Sequence, residues 1–314
     1  MTFEDFIRGL FSIFIAGALA WSVYRAGERD SDPTPPEKGQ KRYIPSIPVL
    51  LPIILPFVAL LLLLSYGGAF TLRSLLSICF PIFLSICLYY ALLLPALPLL
   101  RRRISARTCA ALWLLPNYLY YTVYTYMELP EPRWVLSLPV PMAVVGAVWA
   151  VGFCAVLGWK IIGHLVFRHT LLKDAWPVED PEWLTLWREE QLNAGFHKAR
   201  FPLVISPAAS TPLSVGLFSR TIRVMLPERD YTLEELRLVL RHELVHISRE
   251  DSAAKFFLAF CTAMCWFNPL MWMAMERSAQ DMELSCDETV LLEADDVTRR
   301  RYAGLLLATA GDSR

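Results

Sequence analysis

Two histidines, His242 and His246, stand four residues apart with Glu243 directly after the first, in the stretch RHELVHISRED (241–251). On a helix, residues four apart are neighbours one turn apart, so both imidazoles can point at one cation. The glutamate after the first histidine then lies beside the coordination position left open, where it can act as a base on water. The chemistry offered is metal-assisted hydrolysis, with His242 and His246 as zinc ligands and Glu243 as general base. With five histidines in 314 residues, this spacing rarely arises by accident. The bland alternative is two solvent-facing histidines on an amphipathic helix.

Two ligands do not make a catalytic site, and the third must come from elsewhere. The acidic stretch SAQDMELSCDETVLLEADD (278–296) places Glu283 and Asp287 four apart on one helix face. Glu283 can complete the ligand set, while Asp287, one turn on, can accept the second ring N–H of a histidine and orient it. Asp281, Glu288 and Glu293 read as solvated acids on the outside of the same helix. Arg241, Arg277 and Tyr302 are candidates to stabilise an oxyanion.

The elements that must position these groups are legible around them. Thr232 followed by Glu235 forms a capping-box pattern, so a helix should run from about 232 through 249, with Leu236, Leu240, Glu243 and Ile247 along one stripe. Between the two motifs lies AAKFFLAFCTAMCWFNPLMWMAMERSA (253–279), apolar enough to cross a membrane. A crossing would put His246 and Glu283 on opposite sides. Asn268-Pro269 resolves the conflict, because Asn caps and Pro starts a new helix. The expectation is a membrane-apposed hairpin over 254–293 that returns Glu283 to the side of His246. Upstream, 180–196 reads as a polar helix, and β-rich runs at 202–206, 213–217 and 221–226 read as a small sheet.

The remainder is greasy: 55% of residues are hydrophobic, 19% are charged, and mean hydropathy is +0.40. That balance points to a membrane protein. Thirty basic and thirty acidic residues cancel, which gives no basic field to bind nucleic acid directly. Apolar runs at 6–24, 46–66, 74–100, 108–127 and 136–163 make about five transmembrane helices, the fourth interrupted by Pro116 and Asn117. The first follows an acidic start and reads as an uncleaved span. The proline-rich segment 33–40 reads as a linker. Basic residues are heavy after the first and third spans and sparse after the second and fourth. By the positive-inside rule the N-terminus lies outside, and the polar region from 166 to 314 lies in the cytoplasm. Seven scattered cysteines give no disulfide framework, and Cys261 and Cys265 read as small buried helix residues.

Taken in order, SPAASTPLSVGLFSRTIRVMLP, LRHELVHISRED, CWFNPLMW and DMELSCDE resemble the BlaR/MecR-type antirepressor membrane metallopeptidases, metallopeptidase family 56. The resemblance covers about 165–314, and the membrane part only by topology. It implies a gluzincin-type α+β zinc protease domain (166–314) on a mainly α-helical membrane region (1–165), in a bacterial cytoplasmic membrane. It also implies cleavage of a protein such as a transcriptional repressor, or of itself, under the control of a sensor partner. Carried over, His242, His246 and Glu283 bind zinc, Glu243 is the base, and Asp287 supports a ligand. The Glu-x-x-Cys-Asp run (283–287) also resembles the Glu-x-x-Ala-Asp of CAAX-type and heat-shock membrane metalloproteases, so a quality-control protease is an alternative. The chain reads as either a short member without an extracellular sensor domain or a fragment, so a β-lactam-sensing function is not supported. Two readings from other classes stand beside it. One is a catalytically silent sensor or scaffold, which a lost Glu243 or ligand would mark. The other is a transporter, which the scarcity of charges inside the spans opposes.

Overall fold

The structure, a computed structural model, describes residues 67–126 and 140–312 except His197 and Glu293, together with Leu60 and 63–65. The predicted span at 6–24, most of that at 46–66 and the linker at 33–40 lie outside the described residues. The described residues are mostly helical, with one small mixed sheet.

Helix α1 (Gly68–Leu100) buries Phe83, Ile86, Tyr90, Leu93 and Leu97 while Phe80, Leu84, Leu88 and Leu92 are exposed. Apolar side chains therefore occupy both faces, which suits a helix with lipid on its outer side. Helix α3 (Met142–Lys173) exposes Val144, Val148, Val151 and Ile162 in the same way. Stretches of these two helices, Cys79–Leu100 and Ala143–Lys173, are long and apolar enough to cross a membrane.

The predicted fourth span, 108–127, is not one helix. It consists of α2 (Ala106–Leu114), capped by Ser105, followed by a 3₁₀ stretch (Leu115–Tyr126). Pro116 has no N–H to continue the α-helical ladder. Asn117 donates its amide to the Tyr90 hydroxyl at 2.6 Å and to the Trp113 carbonyl at 3.2 Å. The segment runs back along α1, with Trp113 beside Tyr90 and Tyr120 beside Phe83.

The polar part begins with β1 (Trp176–Pro177), which the sequence did not signal, and α4 (Pro181–Asn193). Strands β2 (Leu203–Ile205), β3 (Leu213–Val215) and β4 (Arg223–Leu226) follow, in the spatial order β1-β2-β4-β3. Strands β2 and β4 pair in parallel; the other two pairings are antiparallel. Alternation along β4 sends Val224 and Leu226 into a core with Leu186, Trp187, Leu236, Leu240 and Leu244, and Met225 to the opposite face against Leu171 and Val215.

Helix α5 (Leu233–Ser248) opens with the full capping box, in which Thr232 accepts from Glu235 N and Glu235 accepts from Thr232 N. Arg249 ends it, and Glu250 takes a left-handed conformation at φ 55°. A left-handed non-glycine residue costs on the order of 1 kcal/mol, and here it reverses the chain so sharply that α6 (Asp251–Met264) starts beneath the last turn of α5. Helix α7 (Pro269–Val290) begins as the Asn-Pro pair requires, with the Asn268 side chain accepting from Leu270 N at 3.0 Å. The tip between α6 and α7 packs on the long apolar helices: Trp149 donates to the Met264 carbonyl at 3.0 Å, and Phe267 meets Phe83 edge-on. Gly152 is required there, because any Cβ would collide with the Trp266 ring. Helix α8 (Asp296–Asp312) closes the described chain.

Candidate metal centre

Helices α5 and α7 pack together, and the hairpin brings Glu283 to the two histidines. Three donor atoms converge. His246 Nε2 is 3.1 Å from His242 Nε2 and 3.2 Å from Glu283 Oε2, and His242 Nε2 is 3.5 Å from the same oxygen. A tetrahedral zinc with bonds of about 2.0–2.1 Å separates its ligand atoms by about 3.3 Å. The triangle therefore has the size of one face of a zinc tetrahedron, and its donor set of two nitrogens and one oxygen suits a divalent cation with a position left for water.

Each imidazole is held from behind. Asp251 Oδ2 lies 2.8 Å from His246 Nδ1, and the Tyr302 hydroxyl and Asp287 Oδ1 lie 2.8 and 3.2 Å from His242 Nδ1. Tyr302 donates to Asp287 at 2.7 Å. A carboxylate accepting from Nδ1–H fixes the tautomer whose Nε2 lone pair faces the centre. Lys255 Nζ, 3.2 Å from Glu283 Oε1, occupies the carboxylate oxygen that does not face the histidines.

The charges reinforce one another. Burial favours the neutral form of His242, but hydrogen bonds to Asp287 and Glu283 outweigh it and raise the pKa to about 9. His246 is likewise opposed by burial and raised to about 12 by Asp251, Cys286 and Glu283. Burial would raise the Glu283 carboxyl, yet the two histidines and Lys255 hold it well below the usual carboxylate range.

Glu243 is 4% exposed, on the buried stripe of α5 next to His242. Among the described residues it makes no hydrogen bond or ion pair. Cys286 is fully buried, with Sγ 3.3 Å from His246 Nδ1. Arg249 braces the two ligand helices, donating to Ser285 Oγ at 2.7 Å and Thr289 Oγ1 at 2.6 Å. Of the oxyanion candidates, Arg241 pairs with Glu190 and Arg277 with Gln280, while Tyr302 serves Asp287.

One sequence expectation is corrected, and one partner was not foreseen. Asp281 is fully buried rather than solvated, accepting from Arg101 Nη2 at 2.5 Å and Trp113 Nε1 at 2.6 Å. The reason is that α2 covers this part of α7, which a helix-period reading leaves to solvent. Glu288 is exposed, as expected, and also accepts from Ala106 N at 3.0 Å, at the start of α2. The unforeseen partner is Asp251; five residues from His246, it reaches that ring only through the left-handed turn at Glu250.

A family model described as BlaR1 peptidase M56 matches residues 134–314, more than half of the chain. The chain belongs to that family. It is a metallopeptidase family, so a metal is implied, and the chain joins such a domain to helices that could span a membrane. Among curated proteins the chain is similar to the regulatory protein BlaR1 of Bacillus licheniformis, with 29% identity over 161 residues, 51% of this chain. The matched part spans about a quarter of that relative, 26% of its length.

Proposed function

We propose that this family member is a membrane-anchored zinc endopeptidase of the gluzincin type, acting on a protein substrate in signalling from the membrane. The observation that carries the reading is the convergence of His242 Nε2, His246 Nε2 and Glu283 Oε2 within 3.1–3.5 Å. These three would hold zinc, with Asp251 and Asp287 fixing the two rings. A bound zinc would supply Lewis acidity to a peptide carbonyl and to water at the position the protein leaves open.

The chain's own groups do the rest. Glu243, buried beside His242, takes a proton from water at a carboxylate oxygen and delivers it to the departing amine nitrogen. The outer edge of β3 is the last in the sheet, and β3 packs against α5. An extended substrate can add there as a further strand, its backbone hydrogen bonds holding the scissile bond along the metal helix. Burial of the stripe that includes Glu243 excludes bulk water from all but the open side.

By the charge pattern of its loops the domain faces the cytoplasm, where a transcriptional repressor or the chain itself is within reach. The similarity to a protein named as regulatory supports that choice of substrate. The decisive experiment compares wild type with Glu243→Gln, both zinc-loaded in detergent, against a peptide library and for self-cleavage by mass spectrometry. Wild type is expected to cleave, and the variant to lose about 10²–10⁴-fold in rate with its zinc retained. A variant that cleaves as fast as wild type would sink the proposal.

A further inference from the structure

The corner between α1 and α2, residues 101–107, is tied to the metal centre by more polar links than packing requires. Arg101, at the end of α1, and Trp113, on α2, together occupy both oxygens of Asp281. Ala106 N donates to Glu288 Oε2 at 3.0 Å. Arg107 Nη1 lies 4.0 Å from Asp251 Oδ1, whose other oxygen holds His246. Each link ends beside the centre: Asp281 two residues before Glu283, Glu288 next to Asp287, and Asp251 on the His246 ring.

We propose that this corner is a positioning element that sets Glu283 and His246 in register, through Arg101–Asp281 and Arg107–Asp251. It rests on the reading of His242, His246 and Glu283 as zinc ligands. The physical argument starts from Asp281. A fully buried carboxylate is tolerated only while it is paired, and its one charged partner, Arg101, comes from this corner, while Trp113 on the α2 that follows supplies the other hydrogen bond. If the corner moves, α7 must turn to hydrate or re-pair that carboxylate. Side-chain tips lie about 5–6 Å from a helix axis, so a turn of about 10° moves the Glu283 oxygen by about 1 Å, half the length of a zinc–oxygen bond. The corner also has room to move, because a cavity lined by Arg101, Ile104, Leu284, Glu288 and Leu292 separates part of it from α7. Since Arg101 caps a helix long and apolar enough to span a membrane, displacement of that helix is delivered to one metal ligand by way of Asp281 and to a second by way of Asp251.

The test uses the full chain in lipid nanodiscs, loaded with zinc, with release to an excess chromogenic chelator followed in time. Arg101→Gln and Arg107→Gln are each expected to release zinc about tenfold faster than wild type, in the range seen when partners of metal ligands are altered. Cobalt-substituted Arg101→Gln should show a changed visible absorption, and Arg101→Lys should restore part of the wild-type behaviour. Arg102→Gln, which removes the same charge from an exposed position beside it, should match wild type. The proposal is overturned if both variants release zinc at the wild-type rate with an unchanged cobalt spectrum, or if Arg102→Gln is as fast as Arg101→Gln. Should Arg101→Gln not fold, Arg107→Gln decides alone, because Arg107 is part-exposed and its 4.0 Å link to Asp251 is looser than the 2.5 Å link of Arg101 to Asp281. A wild-type chain that binds no zinc overturns the metal reading instead.

Discussion

Replacing Asp251 by Asn isolates the contribution of a carboxylate held behind a ligand. Asp251 is 4% exposed, with Oδ2 2.8 Å from His246 Nδ1. Asparagine keeps the volume and can still accept one hydrogen bond, so the fold should survive while the negative charge behind the imidazole is lost. That charge makes Nε2 a stronger donor to a metal, and losing such a partner weakens metal binding about 10–100-fold, about 1.4–2.7 kcal/mol. A second effect opposes the first. In the metal-free protein Asp251 is the leading cause that raises His246 above its ordinary value, so the substitution also eases removal of the proton that competes with the metal. The net loss should therefore be smallest near pH 6 and grow toward pH 9, where proton competition has faded in the variant but not in the wild type. Competitive titration of zinc against an indicator across that range reads both effects. An affinity unchanged within twofold at every pH, or a loss that grows toward low pH, would refute the argument.

Two further outcomes follow from the same geometry. Zinc binding to the metal-free protein at pH 7 should release about two protons, one from each imidazole and none from Glu283, which is already ionised. Affinity should then rise with pH, less steeply above about 9, where His242 has lost its proton and only His246, raised to about 12, still competes, as calorimetry in buffers of different ionisation enthalpy would show; release of less than half a proton would contradict it. Asn268→Ala removes the cap of α7 at a position 5% exposed and should destabilise the protein by about 1 kcal/mol. Denaturant titration in micelles checks this, and a stability equal to wild type would show that Pro269 alone starts the helix.

Much of the arrangement around the centre was legible because it depends on local rules. Thr232 and Glu235 announce α5, and the four-residue spacing of His242 and His246 puts both rings on one face. Asn268-Pro269 breaks an apolar run that would otherwise cross a membrane, and the chain does turn there, returning Glu283 to His246. Three of the four strands of the small sheet, β2, β3 and β4, fall within the runs that β propensity and turn residues mark.

What the sequence determined by itself is therefore the inventory of groups and the helices that carry them, because periodicity, capping and helix breaking act over a few residues. The tertiary structure decided which side of each helix is covered. Asp281 sits on a polar helix face that looks solvated until α2 lies over it and Arg101 and Trp113 pair with it. Asp251 becomes the partner of His246 only because Glu250 adopts a conformation its residue type disfavours, held by the packing of α6 on α5. The interruption at Pro116 becomes a 3₁₀ segment because Asn117 finds Tyr90 across from it on α1. In each case the deciding contact joins residues that are distant in the chain or turned by an unfavoured backbone angle, and no local pattern encodes either.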